Sequence, residues 1–424
     1  MAVSAVRGMH DLYGDELRQW IAVEVRIKNV LGQFGYNEIR TPVLEKVEVF
    51  SHTVGQDTDI VEKQMYTVSD VGDECLVLRP EGTASFVRAV VEHQLLQSSD
   101  PGRYFYYLPM FRHERPQKGR LRQFHQFGIE LIQDSSPEGD AEIVGLVDHL
   151  FREARFDAYE VKINSIGCEN CRPSYREKLK SFFKSTLGSL CEQCQKRFER
   201  SVLRILDCKN ESCKKIVESA PLITGHLCND CQTHHQNFKK RLGQIGVSFV
   251  EDPHIVRGLD YYCRTAFEFV SGVLGAQSAV AAGGRYDGIA SRFGAKPFPA
   301  VGVAIGMERL MMGLEQKGVL KTLKSGPVYY FAALGDKAFE SLYGLADKLK
   351  KEGVWVEMNY EKNKSLKSQL KQADRCGARF VLIVGDDEIA SGQGLLKEMQ
   401  SGNQISLHLA DLQQDLMRRA IVVP

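Results

Sequence analysis

Residues 109–130 read Pro109-Met-Phe-Arg-His-Glu-Arg-Pro-Gln-Lys-Gly-Arg-Leu-Arg-Gln-Phe-His-Gln-Phe-Gly-Ile-Glu130. Two strand-like arms flank a polar loop that contains Pro116 and Gly119, the punctuation of a β-hairpin. Strand alternation puts Arg122, Phe124, Gln126, Gly128 and Glu130 on one face and Gln123, His125, Phe127 and Ile129 on the other. The first face joins a cation, an aromatic ring, an amide and a carboxylate, a set able to pair a phosphate, stack a base and orient an amine. The same alternation also describes an amphipathic hairpin with one wet face, and spacing alone does not separate the two.

Upstream of the hairpin, Trp20, Val23, Ile27, Val30, Leu31 and Phe34 recur at helical spacing, with Gly35 where a C-cap would fall. Tyr36 to Val43 reads as a strand running into Pro42. Leu76 to Arg79 reads as another, and Pro80-Glu-Gly82 then turns the chain into a helix carrying Phe86, Val87, Val90 and Val91, so Thr83 is expected as its N-cap. A carboxylate and a hydroxyl fixed at that turn can bind an amino group; equally, Thr83 only caps and Glu81 is solvated.

Downstream, a helix is expected over Ala141 to Glu153 and a strand over Tyr159 to Asn164. Eight of the 11 cysteines then follow as Cys168/Cys171, Cys191/Cys194, Cys208/Cys213 and Cys228/Cys231. CxxC places two thiolates on one turn and two such turns complete a tetrahedral zinc shell, so the eight suffice for two structural sites. The alternative is reduced, buried thiols in a helical insertion. Tyr262 to Phe269 and Ser278 to Ala282 read as strands before Gly283-Gly284, where glycines permit close backbone approach or simply a turn. Val301 to Ile305 enters a helix near Met307, with Arg309 in its first turn, a position suited to a nucleotide or to solvent. Lys321 to Pro327 reads as a linker. Beyond it strands at Val328 to Leu334, Val354 to Met358 and Phe380 to Val384 alternate with helices at Lys337 to Lys350 and Leu366 to Cys376, a small α/β unit with a largely parallel sheet. Lys364, Lys367 and Lys371 form a basic stripe at the start of its second helix, as a solvated face also would.

At 424 residues the chain exceeds what one core usually holds, so two or three domains are expected. A net charge of +1 means that any nucleic-acid surface must come from local clusters of Lys and Arg. No apolar run reaches the 18 or so residues of a membrane span, and Met1 to Asp15 has no apolar signal core. A cytoplasmic protein with reduced cysteines is expected.

Five stretches carry a resemblance. Phe111-Arg-His-Glu114 with Phe124, and Gly302-Val-Ala-Ile-Gly-Met-Glu-Arg309, resemble motifs 2 and 3 of class II aminoacyl-tRNA synthetases. Arg257-Gly-Leu-Asp-Tyr-Tyr262, Gly283-Gly-Arg-Tyr-Asp-Gly288 and Leu78-Arg-Pro-Glu-Gly-Thr83 resemble stretches of the bacterial-type histidyl-tRNA synthetase family within that class. The resemblance implies an α+β fold. An antiparallel-sheet catalytic core flanked by helices would occupy residues 1–325, interrupted by the Cys-rich helical insertion at 168–240, with a C-terminal α/β anticodon-binding domain at 326–424. It implies a homodimer built on a motif 1 over the first helix and strand. It also implies ATP-dependent attachment of L-histidine to tRNA(His) through histidyl-adenylate, with release of AMP and diphosphate.

What the resemblance implies for residues is specific. Arg112 and Arg257 are the catalytic cations: Arg112 on the α-phosphate, Arg257 between carboxylate and phosphate in place of a metal ion. Glu81, Gly82, Thr83, Arg112, Gln126, Glu130, Arg257, Tyr261 and Tyr262 bind histidine, with Glu81 and Thr83 at the α-amino group and Glu130 and Tyr262 at the imidazole. Arg112, Glu114, Arg120, Phe124, Gly306 and Arg309 bind ATP, Phe124 and Arg309 sandwiching adenine, and Mg²⁺ sits on the outer phosphates. The loop Arg115 to Arg120 meets the tRNA acceptor end. The family's relative without charging activity, the regulatory subunit of ATP phosphoribosyltransferase, is the alternative. It typically lacks a C-terminal domain, which residues 328–424 supply here.

Overall fold

The computed structural model describes residues 3–55, 58, 60–69, 74–97, 102–275, 279–323, 326–361 and 364–421. Trp20, Val23, Ile27, Val30 and Leu31 are the buried face of α1 (Gly14–Gln33), and Gly35, at φ +76°, follows in the left-handed conformation that ends a helix. The strand expected from Tyr36 to Val43 shrinks to β1 (Asn37–Glu38), and beyond it the carbonyls of Thr41 and Pro42 accept from the Arg79 guanidinium at 2.7 and 2.9 Å. Next come β2 (Leu44–Lys46), α2 (Val47–Ser51), β3 (Tyr66–Ser69) and β4 (Cys75–Leu78), whose strands form a small sheet in the order β2-β4-β3.

The helix α3 (Thr83–Glu92) corrects one expectation. Thr83 is its first helical residue, and no side chain of the N-cap residue, Gly82, can serve. Glu81 caps instead, accepting the N–H groups of Thr83 (2.8 Å) and Ala84 (2.9 Å). This frees the Thr83 hydroxyl to point elsewhere.

The quoted hairpin is β5 (Arg103–Phe111) and β6 (Gln123–Ile132), paired antiparallel from Arg103↔Leu131 to Phe111↔Gln123. Gln117 and Arg120 close its tip by two backbone hydrogen bonds, with Gly119 at φ +74° between them. After α4 (Pro137–Glu153), capped by Ser136 with Pro137 in its first turn, comes β7 (Glu160–Ser165).

Four helices follow without a strand: α5 (Arg172–Lys184), α6 (Glu192–Arg200), α7 (Glu211–Val217) and α8 (Asn229–Gln244). They enclose a separate core of Tyr175, Leu179, Phe183, Phe198, Ile205 and Val217 among others. The last helix runs to Gln244, past the boundary expected at 240, because its residues pack on α4. The chain then returns through β8 (Val250–Glu251), β9 (Cys263–Val270), β10 (Ala279–Arg285), β11 (Ala300–Gly306) and α9 (Met307–Gln316). Ser278, the expected start of β10, lies outside the described residues.

Among the described residues the main sheet runs β1-β5-β6-β11-β10-β9-β7-β8, antiparallel except for its end pairs β1/β5 and β7/β8. The chain divides into residues 1–13 with 20–320, and 14–19 with 321–424; the boundary expected at Ser325 lies outside the described residues.

The second unit holds β12 (Tyr329–Leu334), α10 (Asp336–Lys351), β13 (Val356–Met358), α11 (Leu366–Arg375), β14 (Phe380–Gly385), α12 (Asp386–Ser391), β15 (Gln393–Glu398), β16 (Gln404–His408) and α13 (Leu412–Ile421). Its sheet, β13-β12-β14-β15-β16, is parallel only over the first three strands. A hairpin closed by Gly402 at φ +76° adds two antiparallel strands that were not expected. The lysine stripe is also corrected. Ser365 is the N-cap of α11, so Lys364 precedes the helix and pairs with Glu361 at 2.6 Å, leaving Lys367 and Lys371 on the helix itself. No described helix is long and apolar enough to cross a membrane.

Candidate active site

The floor of the site is made where side chains are missing. Gly302 on β11 faces Glu130 on β6, and a Cβ there would stand 1.6 Å from Glu130 Oε2. Gly128 pairs with Tyr106, and a Cβ would meet its ring at 1.9 Å; one at Gly82 would meet the same ring at 2.3 Å. Three glycines thus let the Tyr106 ring and the Glu130 carboxylate lie flat against the sheet.

Glu130 is 1% exposed. Its carboxylate accepts from Thr83 Oγ1 at 2.9 Å, Tyr106 OH at 3.3 Å and Tyr286 OH at 2.7 Å. Burial nevertheless pushes its pKa up to about 8, since those hydroxyls only partly offset the lost hydration. Glu81, also buried, is raised by burial as well, against the pull of the Ala84 and Thr83 N–H groups and of Arg112. Its third contact is Tyr261 OH at 3.4 Å. A carboxylate has about four lone-pair sites, so a cationic donor can still be received.

Above this floor opens a cavity of ≈ 860 Å³. Glu81, Gly82, Thr83, Arg112, Glu114, Arg120, Phe124, Gln126, Arg257, Tyr261, Tyr262, Gly306 and Arg309 all line it, and Glu130 lies beneath, bonded to the lining residues Thr83 and Tyr106. Arg112 donates to Pro80 O at 2.9 Å and its guanidinium lies 5.0 Å over Phe124. Arg309 is held by Gly119 O (3.0 Å) and Ala279 O (2.6 Å), which ties the start of α9 to the hairpin loop. Glu114 faces Arg120 at 3.4 Å.

Arg257 pairs with Glu268 at 2.7 Å and lies 5.2 Å over the Tyr262 ring. Among the described residues its buried Nε has no hydrogen-bond partner, nor has the buried Gln126 Oε1. Buried polar atoms are ordinarily satisfied; two orphans in one cavity, a donor and an acceptor, match a ligand that brings both complements.

Sequence reading missed Tyr286, Glu268 and the group behind the wall. Arg285, fully buried, donates to Asp140 (2.6 Å) and to the carbonyls of Asp134 and Ser136, and Asp140 also meets His234 at 2.6 Å. Gly283 to Gly288 therefore splits into architecture at Arg285 and site at Tyr286. Tyr286 carries a sequence signal, a phenol one residue beyond the strand end, but its reach across β11 to Glu130 does not. Beneath the hairpin, Glu308 on α9 accepts the His125 N–H at 2.9 Å.

Residues 8–310 match the family profile described as Histidyl-tRNA synthetase, and residues 329–418 match that of an Anticodon binding domain. A histidine–tRNA ligase of Geobacter metallireducens is 44% identical over 402 residues, covering 95% of this chain and 96% of that protein. One of Thermotoga maritima is 42% identical over 407 residues, 96% of each. The apo histidyl-tRNA synthetase of S. aureus superposes with a TM-score of 0.80 at 30% identity, covering 98% of this chain and 100% of the other. A Bacillus halodurans protein titled ATP phosphoribosyltransferase regulatory subunit/histidyl-tRNA synthetase shares the fold at 21% identity and a TM-score of 0.63, over 91% and 99% of the two chains. With the profile spanning most of its length and relatives above 40% identity end to end, this chain belongs to the histidyl-tRNA synthetase family.

Proposed function

We propose that this cavity activates L-histidine with ATP and transfers it to tRNA(His), releasing AMP and diphosphate. The observation that carries the reading is the pair of unpartnered buried atoms on Arg257 and Gln126 above a floor holding two buried carboxylates. Glu81 and Thr83 receive the α-amino group, and Glu130 and Tyr262 hydrogen-bond the imidazole. An amino acid without ring nitrogens leaves those partners unpaired, which discriminates far more strongly than apolar fit.

Adenylation joins a histidine carboxylate oxygen to the α-phosphorus and breaks its bond to the β-phosphate bridging oxygen, so diphosphate leaves with that electron pair. Charge grows at phosphate throughout, and positioned cations suffice without a protein nucleophile. Arg112 takes the α-phosphate and Arg257 bridges carboxylate and phosphate. Gln126 orients the histidine, Phe124 and Arg309 hold adenine near Gly306, and Arg120 meets the outer phosphates. The Mg²⁺ that accompanies ATP would neutralise phosphate charge, and Glu114, one of four carboxylates in the lining with Glu81, Asp207 and Glu308, is the one that would face it beside Arg120. The loop at Arg115 to Arg120 meets the acceptor end through phosphates, which position without specifying.

In the same reading residues 1–325 are the catalytic body, 168–244 its insertion with zinc on the eight cysteines, and 326–424 the anticodon-binding domain. The chain works in the cytoplasm as a homodimer, which the exposed Ile21 (47%) and Val25 (51%) on α1 support. The regulatory-subunit reading is disfavoured by the anticodon-domain match. Histidine-dependent ATP–pyrophosphate exchange tests the proposal: exchange with histidine and not with other amino acids is expected, and its absence overturns it.

A further inference from the structure

Four thiols gather at each of two places in the insertion. Cys168, Cys171, Cys228 and Cys231 bring their sulfurs within 4.8 Å of one another, and Cys191, Cys194, Cys208 and Cys213 do the same. The separations are 3.6 Å for Cys168–Cys171, 3.9 Å for Cys168–Cys228 and 3.8 Å for Cys191–Cys208. Four sulfurs at the usual Zn–S length of about 2.3 Å stand about 3.8 Å apart at tetrahedral edges, whereas a disulfide needs about 2.05 Å. Backbone donors complete each quartet: Cys228 N–H points at Cys171 Sγ (3.1 Å) and Cys191 N–H at Cys213 Sγ (3.2 Å), hydrogen bonds of the kind that hold thiolate ligands in place. Buried thiols acting only as small apolar groups require no such convergence.

The two quartets are nested in the chain and sit in different surroundings. The outer one joins the segment after β7 to the N-terminus of α8, where the insertion leaves and re-enters the main body. The inner one gathers three short pieces: α6, with Cys191 as its N-cap and Cys194 inside it, the segment after a single 3-10 turn, with Cys208, and α7, with Cys213. The nine residues of α6 bury only Cys194 and Phe198. Helices this short are marginal without a cross-link. Cys191 and Cys208 also line the active-site cavity, beside Arg197, Arg204 and Lys209, and Arg200 of α6 reaches Glu62, next in sequence to the lining residue Lys63, at 2.9 Å.

We infer that the insertion carries two independent tetrahedral zinc centres, and that the inner one holds the cationic wall of the substrate cavity in the position that receives ATP. This rests on the zinc reading above and adds the ligand partition and the link to substrate. The outer centre clamps the base of the insertion. The inner centre fixes Arg197 and Lys209 where a polyphosphate passes, so its loss acts on ATP binding more than on chemistry.

Metal analysis of the full chain purified without chelator is the first test, and about two zinc ions per chain are expected. Less than about a tenth of an equivalent, or iron in place of zinc, overturns the zinc reading itself. Cys168→Ser/Cys231→Ser and Cys194→Ser/Cys213→Ser should each retain one ion, and that retained ion, with an unchanged far-ultraviolet circular dichroism spectrum, reports that the rest of the insertion is folded. Loss of both ions from either variant overturns independence. In pyrophosphate exchange, Cys194→Ser/Cys213→Ser should raise KM for ATP on the order of fivefold or more while kcat falls less. An unchanged KM in a variant retaining one zinc overturns the cavity-wall assignment alone.

Discussion

Tyr286, just past the end of β10, reaches over β11 to donate a 2.7 Å hydrogen bond to Glu130 Oε2 on β6. The phenol is one of three hydroxyls on a carboxylate whose burial raises its pKa to about 8. The unfolded chain releases that proton near pH 4.5 and the folded chain holds it to about 8, so in this window the native state binds more protons. Stability of the ligand-free protein should then fall as pH rises from about 4.5 to about 8, by about 1.4 kcal/mol per unit of pKa difference, and the contribution is constant outside it. Urea unfolding across pH should show the slope in the wild type and a shallower one in Glu130→Gln, where the buried Glu81 still contributes; identical slopes refute the assignment.

The role proposed for Arg257 lies in the chemical step. Arg257→Ala should lower the exchange kcat by about 10²–10³, as loss of an oxyanion donor does, with little change in histidine KM. Arg257→Lys should recover only part, since an ammonium cannot bridge two oxygens with a planar fork. Glu268 holds the guanidinium at 2.7 Å, so Glu268→Gln should give a milder kcat loss. If only Michaelis constants rise in Arg257→Ala, the residue is a binding clamp.

Gly302→Ala adds one methyl at 1.6 Å from Glu130 Oε2. The carboxylate must move, and histidine KM should rise at least about tenfold, the effect of about 1.4 kcal/mol. Unchanged KM would mean that Glu130 does not read histidine.

Asp140 joins Arg285, Thr265 and His234 with no solvent access. Asp140→Ala strands a buried guanidinium and should cost about 3–5 kcal/mol in chemical denaturation. A loss below about 1 kcal/mol would mean that the group behaves as a surface ion pair.

A chain ending near Ser325 should still form histidyl-adenylate if it remains dimeric, but charge tRNA poorly. Equal charging by the truncated and full-length proteins would remove the anticodon role from residues 326–424.

Local pattern carried the hairpin faces, the start of α9 at Met307 and the pairing of cysteines, because alternation, helical period and CxxC spacing are all properties of neighbours in sequence. Contacts between distant strands were not legible. Nothing near Tyr286 announces Glu130, 156 residues away. Nothing near Arg285 announces Asp140. Thr83 was misplaced for a related reason: a hydroxyl at a helix start looks like a cap, and only the fold reveals that Glu81 occupies that role while Thr83 reaches across to Glu130. The β15–β16 hairpin was not anticipated although Ser401-Gly-Asn403 marks its turn, since the repeating strand and helix texture before it reads as a largely parallel sheet.

The glycine floor sets a limit on redesign. An attempt to move this protein to a different amino acid by enlarging or recharging positions 128 and 302 has no room to work with, because any side chain there displaces Tyr106 or Glu130 before it meets a substrate. New specificity would have to be introduced from the upper face, at Thr83, Gln126 or Tyr262, whose side chains border open cavity. Selection libraries built on those three positions should yield altered recognition, whereas libraries at the floor should yield mostly inactive protein.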